Sequence, residues 1–382
     1  MNTLHGLALI LILGGFGQWI AWRLHMPSIL VLLVLGLCAG PWLGVIQPDV
    51  YFGDALFPAV SLVVAVILFE GGLTLNFKEL RSSGSSIRNL VSIGLLVTWI
   101  LSAWGAVWLL DFSWPLGIIY GAVLTVTGPT VIIPLLRMVR PVGKVGHILK
   151  WEGIINDPIG VLLAVLVFEA TLAGSLQEAP MYIGFGVLQT VVTGLVIGVA
   201  AAMIIVWLVK HHLIPDFILN SFTLAMVLLA FILSDLVQHE SGLFTCTIMG
   251  IVLGNQKQIS VKKIHEFKSH LGVLLIATLF IVLAARVDLS ELKQLSWQSF
   301  AYLGLLIGVT RPLAVWLSTL GLNLSRADKI YLMFMAPRGV VALSITTVFA
   351  YRLQASGLEG AEMMMPEMFL IVLGTVSFYG II

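Results

Sequence analysis

Residues 151–160 read WEGIINDPIG, and the run that holds them, HILKWEGIINDPIGVLLAVLVF (147–168), is otherwise as apolar as a membrane span. Glu152, Asn156 and Asp157 fall within six residues of one another, with Pro158 directly after them. A charge at the bilayer centre costs about 2.5–3.5 kcal/mol on insertion scales. Polar groups kept at that cost mark a site by default. The reading of this stretch therefore depends on whether the whole chain spans a membrane.

It does by composition. Of 382 residues, 59% are hydrophobic and only 10% charged, where soluble domains carry about 25% charged residues. Mean hydropathy is +1.06. The formal net charge of +1 excludes nucleic acid as the main ligand. Cys38 and Cys246 lie in apolar runs and read as small core residues. No basic residue precedes the first apolar run, so it reads as a span and not as a signal peptide. The end, FYGII, is still apolar, which leaves room for a cytoplasmic regulatory domain absent from this chain.

Cutting the chain at charges, prolines and glycine-rich turns predicts an all-α polytopic membrane protein with thirteen transmembrane helices. The spans are 4–22, 27–46, 54–75, 89–110, 115–136, 147–170, 181–209, 217–237, 240–255, 266–286, 295–320, 327–351 and 364–382. Loops after odd-numbered spans hold fifteen of the twenty Lys and Arg, among them Lys78, Arg81, Arg88, Arg137, Arg140, Lys144 and Lys150. Loops after even-numbered spans hold Arg286, Lys293 and Arg352 with Asp49, Asp111, Glu178, Asp288, Glu291, Glu359 and Glu362. The positive-inside rule then puts the N-terminus outside the cell's inner (plasma) membrane and the C-terminus in the cytoplasm.

A weak internal repeat runs through the spans. VLGLCAGP (34–41) in span 2 matches IMGIVLGN (248–255) in span 9, so that Gly36 meets Gly250 and Gly40 meets Gly254; Leu75 and Leu289 pair at the same offset. Close helix packing alone explains such glycines. Two six-helix units separated by span 7, however, start on opposite sides of the membrane, as inverted repeats of secondary transporters do. The fifth span of each unit carries breakers: Gly128-Pro129 and Pro134 in span 5, Pro337-Arg338-Gly339 in span 12. If helical up to the break, Pro129, Pro134 and Pro337 free the carbonyls of Thr125, Thr130 and Met333. Matched discontinuous helices line ion sites, and lone prolines only kink.

Four charges sit deep: Glu70, Glu152, Asp157 and Arg338. At about 100° per residue, Glu152 and Asn156 lie about 40° apart on one face, whereas Glu152 and Asp157 lie about 140° apart. Glu152 is therefore expected to face Arg338 in a core ion pair. Asp157, tilted from ideal helix by Pro158, is expected to face an aqueous cavity. Glu70 is a second candidate partner for Arg338, or else lies near the cytoplasmic end of span 3. Arg311, before Pro312, reads as an anchor for span 11. Asp235, His239 and Glu240 read as a solvated outer helix end, and Arg286 with Asp288 as an outer-loop pair. No histidine pair stands at ligand spacing with acids, so no zinc site or cofactor is expected.

Together FEGGLTL (69–75), TVTGPTVI (125–132), EGIINDP (152–158), HESGLFTCTIMGIVLGN (239–255) and PRGVVALSI (337–345) resemble the monovalent cation/proton antiporters. The nearest branch is the NhaP-type sodium/proton antiporters, kin to the mammalian sodium/proton exchangers. The resemblance implies a homodimer with dimerisation-domain spans in 1–80 and 216–288. It implies core-domain spans in 85–172 and 294–382, a linking span in 180–210, and crossed broken helices 5 and 12. It implies elevator-type movement of the core, a monovalent cation or a proton on Asp157, support from Asn156, a ligand from Thr127, and a Glu152–Arg338 pair. Many members have an aspartate where this chain has Gly128 and a serine where it has Gly153, so Thr130 or main-chain oxygens stand in. Fewer hard ligands loosen the site, which keeps K⁺ beside Na⁺.

The expected activity is antiport of Na⁺ or K⁺ against H⁺, serving ion and pH homeostasis. It is electroneutral because one free carboxylate carries both ions. The rivals are a K⁺-selective antiporter or efflux system gated by a missing cytoplasmic domain, and an ion channel. An intramembrane protease needs two cooperating aspartates or a nucleophile elbow, and neither is present, so no enzyme is expected. The only other partner expected is membrane lipid.

Overall fold

The computed structural model describes residues 3–139, 141, 143–172, 179–215, 217–238, 241–259, 262–287, 290 and 293–381. Arg140, Glu178, His239, Glu240, Asp288, Leu289 and Glu291 lie outside them, as do the side chains of Thr130, Arg137, Lys262, Lys263 and Lys268. Among the described residues the chain is all helix, and eight helices are long and apolar enough to cross a membrane. Shorter apolar helices accompany them, including Trp114–Val123 and Ser241–Asn255.

The first helices are α1 (Thr3–Leu24), α2 (Ser28–Leu37), a short α3 (Pro48–Phe52) and α4 (Leu56–Thr74). Helix α5 (Phe77–Asn89) starts where the Asn76 side chain accepts the Lys78 amide, and passes through a widened turn into α6 (Leu95–Leu109). Next come α7 (Trp114–Val123), α8 (Pro129–Val139), α9 (Val145–Leu172) and α10 (Ala179–Lys210). The second half holds α11 (Leu219–Val237), α12 (Ser241–Asn255), α13 (Lys262–Ala285), α14 (Trp297–Leu305) and α15 (Arg311–Ser318). It ends with α16 (Arg326–Met333), α17 (Val340–Ala355) and α18 (Met364–Ile381).

Small residues set the packing, since lipid offers helices no hydrophobic drive to associate. Helix α12 lies on α4, and a Cβ at Gly250 would collide with the Phe69 carbonyl. Helix α2 lies on α13 in the same manner, with Gly40 against the Ala285 backbone. Helices α1 and α11 complete this group. A second group gathers α6 and α7 with α9, and α14 and α17 with α18; α10 touches both α9 and α12.

Both suspected breaks are real. Helix α7 ends at Val123 and α8 begins at Pro129, joined by tight turns such as Val126 N–H to Val123 O (3.1 Å). Pro129 therefore starts the second half-helix, where its missing N–H costs nothing, and does not strip a carbonyl from the first. Helix α16 ends at Met333 and α17 starts at Val340, with Gly339 extended between them.

Candidate ion-binding site

Helix α9 is continuous through Pro158, so the expected loosening of the backbone at Asp157 does not occur. Gly153, Asp157 and Gly160 are spaced i, i+4, i+7 and form one stripe. That stripe faces the first break. A Cβ at Gly160 would sit 2.8 Å from Thr125 Oγ1 and 3.0 Å from the Val126 amide, and one at Gly153 would lie 3.4 Å from the Thr127 carbonyl. The glycines let the break close on α9, and Asp157 lies between the two contacts.

Asp157 is 1% exposed, so it does not line the expected aqueous cavity in this conformation. Neither of its carboxylate oxygens has a hydrogen-bond partner among the described residues, and the same holds for Thr127 Oγ1 and Asn156 Oδ1. Buried polar groups are normally satisfied, and each one left unsatisfied costs about 1–3 kcal/mol. Three unsatisfied oxygen-bearing groups around one segment fit a hard, oxygen-seeking cation or a proton.

Glu152 is not paired with Arg338. Its carboxylate is gripped from both oxygens by Arg311, with Nη2 to Oε2 at 3.0 Å and Nη1 on Oε1. Arg311 also donates from Nε to Leu332 O (2.9 Å) and from Nη2 to Met335 O (3.2 Å), at the end of α16. Arg338 instead donates from Nη1 to Val126 O (3.3 Å) in the first break, and its amide donates to Thr375 Oγ1. The Glu70 carboxylate lies against Gly272 of α13. The broken ends thus present carbonyls to two guanidinium groups, where the sequence led us to expect a cation. A cation at a helix C-terminus is favoured by the dipole, and five fixed donors suit several carbonyls at once.

Arg311 is the residue that sequence reasoning undervalued. It lies as far from the end of its span (Ser318) as Glu152 lies from the start of α9 (Val145), so the two share a depth. A π-helical turn, Leu306–Thr310, precedes it and aims it inward. Arg286 forms an ion pair with Asp49 (2.7 Å), and its expected partner Asp288 lies outside the described residues. A second cluster ties α9 to its neighbours, with Glu79 accepting from Lys150 Nζ (2.9 Å) and Trp151 Nε1 (3.0 Å).

Two cavities of about 540 Å³ flank this arrangement. One is lined by Trp22, Met26, Pro134 and Val376, the other by Asp49, Phe57, Arg286, Arg352 and Met365. Val376 and Met365 stand toward opposite ends of α18.

The family profile described as the sodium/hydrogen exchanger, transmembrane, matches residues 7–382. The chain belongs to the sodium/hydrogen exchanger family. Na(+)/H(+) antiporter 1 of Methanocaldococcus jannaschii is 30% identical, over 91% of this chain and 83% of the relative. The solved structure of the sodium proton antiporter MjNhaP1 from that organism, at pH 8, superposes with a TM-score of 0.85 at 25% identity, covering 98% of this chain and 95% of that one. The K(+)/H(+) antiporter NhaP of Alkalimonas amylolytica is 26% identical over 94% of this chain, which spans only 61% of that longer relative. Family membership makes the chain a membrane transporter and not an enzyme.

Proposed function

We propose that the chain exchanges a monovalent cation, Na⁺ or K⁺, for H⁺ one for one, with Asp157 holding either. The observation that carries this reading is the contrast along α9. Glu152 is neutralised by Arg311, whereas the buried Asp157 carboxylate has no donor among the described residues. One carboxylate cannot hold a proton and a cation together, so the two compete. With a single free acid, the exchange moves no net charge. Asn156 and Thr127 add oxygens to the same site. Thr130 is a further candidate ligand.

A moving core accounts for access from both sides. In this reading α6–α9 and α14–α18 form the core and slide as an elevator against α1–α4 and α11–α13, with α10 as the link. The two cavities toward opposite ends of α18 support it. A thirteen-span inverted repeat is supported by reciprocal contacts: Gly36 and Gly40 press on α13, and Gly250 and Gly254 press on α4. The exposed apolar face of α1, with Leu11, Phe16 and Trp19, suits a homodimer or lipid. The charge bias of the loops supports an outer N-terminus and a cytoplasmic C-terminus in the plasma membrane.

A K⁺-selective antiporter is the second reading, favoured by Gly153, which brings no oxygen to the Thr127 carbonyl it faces. Dequenching assays in proteoliposomes with Na⁺, K⁺ and Li⁺ across pH decide between them. Exchange that responds to an imposed voltage would contradict the one-for-one mechanism, and ion flow uncoupled from ΔpH would make the chain a channel or a gated efflux pathway.

A further inference from the structure

Five charged side chains are buried among the described residues: Glu152, Asp157, Arg311, Arg338 and Glu367. The antiport reading uses Glu152, Asp157 and Arg311, and Arg338 donates to the Val126 carbonyl in the first break. Glu367, on the first turn of α18, is 2% exposed and plays no part in that reading. An ionisable residue inside a membrane span is costly and calls for a role.

Its surroundings form a pocket of hydroxyls. Ser299 Oγ of α14 donates to Glu367 Oε1, and Oε2 has no partner among the described residues. Tyr302 lies one turn beyond Ser299 and donates its hydroxyl to the Ser102 carbonyl (2.8 Å) on α6. The Tyr120 ring of α7 lies 6.1 Å from the Tyr302 ring. The hydroxyls of Tyr120 and Ser102, buried on α7 and α6, also have no partner among the described residues.

The charges around this pocket are few. Helix α2, packed on α18, carries no titratable group. Tyr379, farther along α18, lies within the fields of Arg311 and Arg338. Glu362, before α18, and Arg352, near the end of α17, line the outer of the two cavities. Arg338 acts on Tyr302 but pairs with no carboxylate among the described residues. Among the described residues no base grips Glu367 as Arg311 grips Glu152. Ionised, Glu367 would be a second uncompensated buried anion, costing several kcal/mol. Protonated, it carries no charge and still accepts the Ser299 hydroxyl on Oε1.

We propose that Glu367, held by Ser299, is a second proton-binding site, separate from Asp157, that keeps its proton while the cation exchanges. The ligand is H⁺ alone: the carboxylate takes up a proton and releases it only when the pocket opens. The site stands whether or not Asp157 carries the exchange.

Infrared spectroscopy of the full chain in lipid near neutral pH, where exposed carboxyls are ionised, tests this through the carboxylic-acid C=O stretch. Two bands are expected, and adding Na⁺ or K⁺ should remove one and leave the other. Asp157→Asn should keep the cation-insensitive band, and Glu367→Gln should lose it while exchanging ions within a few-fold of the parent. Should Glu367→Gln fail to fold, Ser299→Ala carries the test, because loss of the Oγ donor should shift the cation-insensitive band. The proposal is overturned if the cation removes both bands, if no insensitive band exists, if that band survives Glu367→Gln, if Glu367→Gln abolishes exchange, or if Ser299→Ala leaves the band unmoved.

Discussion

Helix α9 carries two acids five residues apart in opposite situations. Glu152 meets a guanidinium that also ties down the end of α16, so its charge is used up in holding the core together. Asp157 is buried just as deeply, yet its oxygens have no donor among the described residues. In the proposed mechanism the satisfied acid is structural and the unsatisfied one carries the exchange. The same contrast separates the two arginines. Arg311 engages a carboxylate and two carbonyls, whereas Arg338 engages a carbonyl across the breaks.

That contrast is most exposed to contradiction at Asp157. Asp157→Asn is expected to reduce exchange in proteoliposomes to background while the protein keeps its thermal stability, because a buried charge without partners is removed. An active variant would break the comparison at once. Next in size is Arg311→Ala, which leaves Glu152 as an uncompensated buried charge and should cost on the order of 3–5 kcal/mol. Thermal unfolding in detergent measures it, and Glu152→Gln on the same chain should recover part of the loss. Arg311→Lys should not rescue, since a point charge cannot reproduce the fork.

Arg338→Ala is expected to cost less, about 1.5–3 kcal/mol, for one charge-assisted bond to the Val126 carbonyl. Its effect should add to that of Glu152→Gln, whereas Arg311→Ala with Glu152→Gln should be strongly non-additive. Coupling between Glu152 and Arg338 would reverse the assignment drawn here. The smallest effect belongs to Gly153→Ser. An oxygen there would lie beside the Thr127 carbonyl once Ile132 Cδ1 shifts, and a few-fold change in Na⁺ over K⁺ preference is expected in competition assays.

Much of this was legible in the sequence because it is local. Helical register separated Glu152 from Asp157, and the proline-glycine clusters located both breaks. The partner of Glu152 was not legible. Pairing is a tertiary matter, and PRG at 337–339 attracted the assignment because Arg338 looks stranded between breakers, whereas Arg311 looks like an anchor. The spans read from sequence, 147–170 and 295–320, put Glu152 and Arg311 at different depths, so the pairing emerges only from the structure. Glu367 was overlooked although it falls inside the span 364–382, because it stands near the start of that span beside the acidic loop of Glu359 and Glu362. Only the packing of α14 on α18 shows that it is buried. The carbonyls at the breaks were assigned to a cation for a similar reason: local reasoning frees a carbonyl but does not say what reaches it.

The central claim is that one carboxylate holds a proton or a cation in turn. Proton release on cation binding, measured calorimetrically on purified protein in buffers of different ionisation enthalpy, tests it most directly. The expected result is about one proton released per cation bound, apparent affinity weakening about tenfold per pH unit on the acid side, and neither effect in Asp157→Asn. Proton release that survives in Asp157→Asn, or cation binding with no proton release in the parent chain, would contradict it.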